Sequence, residues 1–178
     1  MKKTPQRPNK PRAVKSQSTK PLASASASLD EFWGLVATPD GFKVALEALD
    51  DDALIEAHLE FHQAMTRAFD AVLWSAAELM HRGCTADQFA AFRSGLIGLG
   101  HQVFEAALRE PDSLAEVPHV KSVTAAEFRH GLPAEVAKAR GLTVEKVHGP
   151  KKPTRDRVRD DELEIRFPAI AERFGRSR

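Results

Sequence analysis

Residues 53–109 read ALIEAHLEFHQAMTRAFDAVLWSAAELMHRGCTADQFAAFRSGLIGLGHQVFEAALR. Apolar side chains recur through this stretch every three or four residues, which places them on one face of a helix. Before Gly83 they are Leu54, Phe61, Met65, Phe69, Val72, Ala76 and Leu79, and after it they are Phe89, Phe92, Leu96, Leu99, Val103 and Ala107. The spacing therefore predicts two long amphipathic helices, over residues 53–81 and 86–109.

A short turn at residues 82–85 joins these two predicted helices. Gly83 suits the position just past a helix end, where the backbone favours glycine. Thr85 and Gln88 have the spacing of a capping box at the start of the second helix, and Pro111 marks its end. Because so short a turn reverses the chain, the pattern predicts a long antiparallel helix hairpin at the centre of the fold.

Shorter helices are predicted on both sides of this hairpin. Their signals are a cap at Asp30, a break at 39–41, a helical pattern over 42–49, an acidic helix start at 50–52, a capping box over 124–127, a polar loop at 149–159 and a helix start at Pro168. No segment alternates as a half-buried strand does. The predicted fold class is all-α: a helical bundle centred on the hairpin, with peripheral short helices.

The charges are distributed unevenly along the 178 residues. The whole chain has 26 basic and 25 acidic residues, but residues 1–28 carry seven of the basic residues and no acidic one. The remaining 19 basic and 25 acidic residues give residues 29–178 a net charge of −6. Because residues 1–28 are rich in Pro, Lys and Ser and poor in large apolar side chains, we expect a disordered basic tail there and a single helical domain over 29–178.

The composition also excludes several classes of protein. A single cysteine, Cys84, is incompatible with an internal disulfide framework or a multi-cysteine zinc site. No apolar run approaches the length of a membrane span, and the basic start lacks the apolar core of a secretory signal. We therefore expect a cytoplasmic protein with no cofactor and no membrane contact.

Several motifs recur in the order found in a known family. They are Leu73-Trp74-Ser75-Ala76-Ala77, the run GCTADQFAAFR over 83–93, and Pro111-Asp112-Ser113-Leu114. With Phe32-Trp33 as an opening and residues 163–175 as a closing segment, residues 29–175 resemble a mainly bacterial domain-of-unknown-function family, DUF4240. The sequence departs from the family pattern at Ala86, Ala91 and Gly95. The resemblance implies the helical fold and carries no activity.

Arg93 lies inside an apolar stripe, beside Phe89 and Leu96. A charge in that position must be paired or must border a cavity, because an unpaired buried charge is very costly. One interpretation is a clamp for an anion or carboxylate, since the guanidinium offers a bidentate fork. The other is a structural role, with a buried carboxylate as partner or with the charged end reaching water.

His58 and His62 are spaced four residues apart, on one side of their predicted helix. That spacing can place two imidazoles on one metal ion, with a third ligand from His81, His101 or Cys84. The alternatives are two partly buried structural histidines, or a cationic pocket with Arg93 that binds a small anion. Of these we predict Arg93, His58 and His62 as ligand-binding residues, without a metal.

Trp74 and Asp87 are candidates for a partner surface. Trp74 falls on the polar side of its helix, where it either anchors a peripheral helix or contacts a partner. Asp87 lies in the first turn of its helix, where a carboxylate is favourable by the helix dipole alone.

Three functions remain open from the sequence. The first is a non-enzymatic interaction or regulatory module that binds an unknown protein, with the basic tail making weak, salt-dependent nucleic-acid contacts. The alternative for that tail is a solubilising segment with no specific partner. The second is a small anionic-ligand-binding protein or enzyme with a pocket around Arg93. The third is an immunity-type protein that blocks a toxin. No motif identifies a substrate or a reaction.

Overall fold

The computed structural model of the protein describes residues 22–37, 41–118, 120 and 131–175. These residues contain no strand and form nine α-helices and two short 3-10 helices. The α-helices are α1 (Leu22–Val36), α2 (Phe42–Ala48), α3 (Asp51–Arg67), α4 (Ala71–His81), α5 (Ala86–Gly98), α6 (His101–Arg109), α7 (Leu132–Ala139), α8 (Leu163–Arg166) and α9 (Pro168–Phe174). The 3-10 helices cover Pro111–Glu116 and Asp160–Glu162. The predicted all-α class is confirmed.

Helix α3 packs against α1, α5 and α7. Its apolar stripe buries Leu54, Phe61 and Met65, as the spacing predicted. The ring of Phe61 lies 6.0 Å from that of Phe42 in α2, and Phe42 in turn meets Phe32 of α1. Because a fully buried side chain of this size contributes about 2 kcal/mol, this stripe is a main reason that the short helices pack together.

The single helix predicted over 53–81 is wrong, because the chain leaves the helical path at residues 68–70. Asp70 has extended backbone angles (φ −128°, ψ 132°), and its carboxylate accepts a hydrogen bond from the amide of Leu73 at 2.9 Å. Asp70 therefore caps a second helix, α4. Thr154 bridges the non-helical residues between the two helices. Its carbonyl accepts a hydrogen bond from the amide of Ala71, and its amide donates one to the carbonyl of Phe69, both at 2.9 Å.

The single helix predicted over 86–109 is also broken, into α5 and α6. Gly100 has φ +89° and ψ 167°, a conformation that is essentially restricted to glycine. Each arm of the predicted hairpin is therefore two helices and not one. The capping box at the start of α5 is confirmed: the amide of Thr85 donates to Gln88 at 2.8 Å, and the amide of Gln88 donates to the Thr85 hydroxyl at 3.3 Å.

The amino-terminal helix begins earlier than the sequence predicted. Helix α1 starts at Leu22, so Asp30 lies inside it and the predicted cap at Asp30 is wrong. The boundary predicted after residue 28 falls within this helix. Residues 1–21, which make up most of the predicted tail, lie outside the described residues, as do 38–40 and the capping box predicted over 124–127.

Several other local predictions are confirmed. Asp50 caps α3, accepting from the amide of Ala53 at 2.8 Å, and a helix starts at Pro168. The polar loop predicted at 149–159 is part of a longer non-helical segment, residues 142–159, which we call the strap. In the described ranges no helix has both the length and the apolar character needed to cross a membrane.

Candidate functional site

The guanidinium of Arg93 is held where α5 meets the end of α3. It lies over the rings of Phe69 and Phe89, 4.7 and 5.2 Å from their centroids. Its Nη1 donates a hydrogen bond to the carbonyl of Met65 at 2.7 Å. If α3 continued, the carbonyl of Met65 would accept a hydrogen bond from the amide of Phe69. The helix ends instead, and the amide of Phe69 donates to the carbonyl of Thr66. Arg93 thus supplies a donor, and a positive charge, to the carboxyl end of α3.

Arg93 has no carboxylate partner among the described residues, so the buried ion pair considered from the sequence is not found there. Its Nε is buried and makes no hydrogen bond. Burial lowers the pKa of Arg93 from 12.5 to about 10. The positive charge is therefore held by two aromatic faces and one carbonyl, and no carboxylate in the described part of the chain pairs with it.

A cavity of about 310 Å³ lies beside this guanidinium. We call it the Arg93 cavity; its lining residues are His62, Met65, Thr66, Phe69, Arg93, Val147, Gly149 and Pro150. Helix α3 contributes His62 and Thr66, one turn apart, and α5 contributes Arg93. Met65 of α3 and Phe69, between α3 and α4, also line the cavity, and the strap supplies the rest of the wall. The cavity thus combines a cation, an imidazole and a hydroxyl with apolar side chains.

The strap is anchored to the body at Asp70, which is only 4% exposed. Arg155 donates to both carboxylate oxygens of Asp70, at 2.5 and 2.7 Å, and the hydroxyl of Thr154 donates at 2.9 Å. Burial by itself would raise the pKa of Asp70. The hydrogen bonds from Arg155, the Leu73 amide and Thr154 outweigh it, so the pKa lies below its ordinary value of 3.8.

The anchoring of the strap is uneven along its length. Past Thr154, the amide of Val158 donates to the hydroxyl of Ser75 at 3.1 Å. Before the cavity wall, a long contact of 3.4 Å joins Nε2 of His58 to the carbonyl of Glu145. On the amino side Leu142 and Val144 also pack against the core, so the part of the strap that lines the Arg93 cavity is held by polar contacts on its carboxyl side and mainly by apolar packing on its amino side.

The two predicted histidines have different positions. His62 lines the Arg93 cavity, whereas His58 is buried beside it, with the two rings 5.3 Å apart. The structure therefore brings together Arg93 and His62, and places His58 next to the cavity without lining it.

The third ligands considered for a metal site lie elsewhere. His81 and Cys84 line a different cavity, of about 290 Å³, and the ring of His101 stacks on Trp33 at 4.8 Å. Within the described part of the chain, no three His, Cys, Asp or Glu side chains are grouped as a metal site requires. Burial and the nearby Glu78 raise the pKa of Cys84 to about 11, so its thiol stays protonated and is a poor nucleophile.

Trp74 is held by contacts within the protein. Its ring stacks on Phe89 with centroids 4.7 Å apart, and its Nε1 donates to the carbonyl of Cys84 at 2.8 Å. Both contacts lie within the protein, and a partner surface at Trp74 stays a prediction. Asp87 is exposed in the first turn of α5 and does not line the Arg93 cavity.

The sequence reasoning missed the residues that complete the site. Thr66 lay unremarked in the helical pattern of α3, and Gly149 lay in a stretch read only as a polar loop. The one local signal available for Asp70 was that aspartate often precedes a helix. Nothing near Arg155 in the sequence indicates its partner, because Asp70 is 85 residues away.

These features define an all-α fold in which a half-buried arginine borders a cavity that a loop segment helps to line. A family model described as "Protein of unknown function (DUF4240)" matches residues 28–138, more than half of the chain, and the chain belongs to this family. The match includes His62 and Arg93 but ends before the strap, so the similarity noted for residues 163–175 stays a prediction. A comparison with curated proteins and one with solved structures each found no match.

Proposed function

We propose that this protein binds a small organic anion in the Arg93 cavity. The observation that carries the proposal is a half-buried guanidinium, with a fully buried Nε, that borders a cavity and has no carboxylate partner among the described residues. Partial burial removes hydration from the cation, and this loss is costly where no opposite charge repays it. A ligand oxyanion would supply that charge through a charge-assisted hydrogen bond, which is stronger than a neutral one.

The lining residues suggest how such a ligand would be held. Arg93 would bind the oxyanion, with His62 and Thr66 as further polar contacts. Phe69 and Val147 would contact a short apolar part of the ligand. At about 310 Å³ the cavity is near the lower end of ligand pockets. The class of ligand that fits best is a small carboxylate or phosphate ester with a compact apolar group.

Isothermal titration calorimetry on the full chain tests this proposal. The probes are inorganic phosphate, acetate and benzoate, with benzamide as a neutral molecule of nearly the same shape as benzoate. We expect saturable binding of benzoate, weaker binding of the two smaller anions and none of benzamide. The Arg93→Gln variant should lose this binding, because the cation is removed.

The matched control is Arg67→Gln. Arg67 also carries its guanidinium over an aromatic ring, 5.5 Å from the centroid of Phe104, but it pairs with Glu105 and does not line the cavity. This variant should bind as the unmodified protein does. Failure of all three anions to bind saturably, or equal losses in the two variants, would overturn the proposal.

The other functions considered from the sequence gain no specific observation from the fold. The interaction or regulatory module, the immunity-type role and weak nucleic-acid contact by residues 1–28 stay predictions. A cytoplasmic location is likewise an inference, supported by the single cysteine in the chain.

A further inference from the structure

The Arg93 cavity reaches the surface of the protein at the strap. Among its described lining residues, the exposed ones are Gly149 and Pro150. A Cβ built on Gly149 would lie 3.8 Å from Oγ1 of Thr66, and the φ angle of Gly149 is outside the left-handed region. The backbone therefore does not require glycine here, and the absence of a side chain keeps the space between the strap and α3 open. A ligand bound at Arg93 can extend through this opening to the surface.

Positive charge is concentrated beside this opening. Three exposed lysines, which we call the lysine rim, each lie within two residues of a strap residue that lines the cavity: Lys146, Lys151 and Lys152. Residues 146–152 contain no acidic residue, and the nearest acidic residues in the strap are Glu145 and Asp156. The edge of the cavity therefore carries a net positive charge in addition to that of Arg93.

The lysine rim differs from the arginines of the strap in its pairing. Each of the three arginines forms an ion pair with a carboxylate: Arg155 with Asp70, Arg157 with Glu78 and Arg159 with Asp161. No carboxylate among the described residues pairs with a member of the lysine rim. The charge of the strap that lacks a partner in the described structure is thus gathered next to the Arg93 cavity.

We propose that the ligand of the Arg93 cavity is an organic diphosphate. The apolar group and the inner phosphate occupy the cavity, where that phosphate contacts Arg93, and the outer phosphate lies in the opening against the lysine rim. Lysine suits this position, because its ammonium is a compact charge with three hydrogen-bond donors and is a common phosphate ligand. This inference rests on the proposed function and narrows its ligand class from a singly charged anion to one with a second phosphate.

A small diphosphate suits these features better than a nucleic acid does. The cavity, at about 310 Å³, has room for one compact group. The lysine rim is confined to residues 146–152, whereas residues 29–178 as a whole have a net charge of −6. A long polyanion that extended past the rim would be repelled by this negative charge.

Isothermal titration calorimetry on the full chain tests the number of phosphate groups. Benzoate, phenyl phosphate and phenyl diphosphate share one ring and differ in their charged ends. We expect phenyl diphosphate to bind about tenfold more tightly than phenyl phosphate at about 0.1 M salt, because only the diphosphate reaches the lysine rim. This advantage should fall to about threefold or less at about 1 M salt, where the Debye length is about 3 Å.

Two pairs of substitutions identify the residues that hold the outer phosphate. Lys146→Gln with Lys151→Gln should remove most of the advantage of phenyl diphosphate and leave benzoate affinity unchanged, since benzoate does not reach the rim. The matched control is Lys43→Gln with Lys138→Gln, which removes two charges from exposed positions outside the cavity lining. This control should keep the full advantage of the diphosphate.

A competition arm distinguishes the diphosphate from a nucleic acid. The competitor is a single-stranded DNA of about 20 nucleotides, and the readout is displacement of phenyl diphosphate, because the basic residues 1–28 can attract DNA by themselves. We expect no displacement when the DNA supplies the same concentration of phosphate. Displacement that is lost in Lys146→Gln with Lys151→Gln would make a nucleic acid the ligand and overturn the proposal.

The remaining outcomes separate this inference from the proposed function. Benzoate binding with no gain from the second phosphate, or equal losses in the two pairs of variants, would overturn the diphosphate alone. Failure of all three phenyl compounds to bind would overturn both proposals.

Discussion

Arg155 and Asp70 form a two-pronged ion pair across 85 residues of chain, with Nε and Nη2 of the arginine 2.5 and 2.7 Å from the two carboxylate oxygens. The same carboxylate caps α4 through the amide of Leu73. One buried side chain thus starts a helix and fixes the strap across the gap between α3 and α4. Because the strap forms one wall of the Arg93 cavity, this pair also determines the shape of the candidate site.

Removal of Arg155 should destabilise the protein. In Arg155→Ala the buried Asp70 loses two of its hydrogen-bond donors, and a buried carboxylate left without its partner is costly. Arg155 is 42% exposed, so water compensates part of the loss and we expect about 1–3 kcal/mol in urea unfolding. The comparison is Arg159→Ala, which removes exposed ion pairs with Asp161 and Glu162. Equal losses in the two variants would contradict the anchoring role.

The contribution of Asp70 should depend on pH. Its pKa is lowered in the folded state, so the folded protein binds fewer protons at this site than the unfolded chain does over the interval between the two pKa values. The stabilisation is then complete above the unfolded pKa of about 3.9 and is lost as the pH falls through the folded pKa. The difference in free energy of unfolding between the unmodified protein and Asp70→Asn should be constant from pH 7 to about pH 5 and shrink below that. A difference that grows as the pH falls would show that folding raises the pKa of Asp70 and does not lower it.

Replacement of Arg93 by lysine should weaken anion binding while it keeps the positive charge. Lysine lacks the planar fork of the guanidinium and places its charge at a single point. We expect the dissociation constant for benzoate to rise about tenfold or more in Arg93→Lys. In Arg67→Lys it should stay within a factor of two. An affinity that is unchanged in Arg93→Lys would argue that only the charge, and not the geometry, of this residue matters.

Replacement of His62 should affect ligand binding, whereas replacement of His58 should affect stability. His62 lines the cavity, so His62→Ala should weaken benzoate binding with little change in stability. His58 is 5% exposed and does not line the cavity, so His58→Ala should lower the free energy of unfolding by about 1–2 kcal/mol and affect binding less. Calorimetric titration and urea unfolding of both variants measure the two effects. The reverse pattern would exchange the roles assigned to the pair.

The break between α5 and α6 should be intolerant of a side chain at Gly100. Nothing lies within 4 Å of a Cβ built there, so the cost of Gly100→Ala comes from its backbone angles and not from crowding. We expect about 1–3 kcal/mol of destabilisation in urea unfolding. Gly34→Ala is the matched control, because Gly34 has equal space but lies in α1 without a positive φ, and alanine there should be neutral or slightly stabilising. If both variants lose equal stability, the backbone explanation does not hold.

How much of the site could be predicted differs from residue to residue. Arg93 was found because a charge inside an apolar stripe is visible in the sequence alone. His62 was found together with His58, but their spacing could not distinguish them, since both lie on the same side of one helix. Asp70 and Arg155 were not found, because the importance of each depends on a partner 85 residues away.

The sequence by itself determined the helical class, the capping box of Thr85 and Gln88 that starts α5, and the presence of Arg93 among apolar neighbours. These properties follow from interactions over three or four residues, which periodicity and capping rules describe. Only the tertiary structure decided where the long helices break and which histidine meets Arg93. The physical reason is that the apolar stripe continues through both breaks, because the helices on either side bury against the same core. The break at Asp70 is held by Thr154 and Arg155 of the strap, and local spacing carries no information about contacts so distant in the chain.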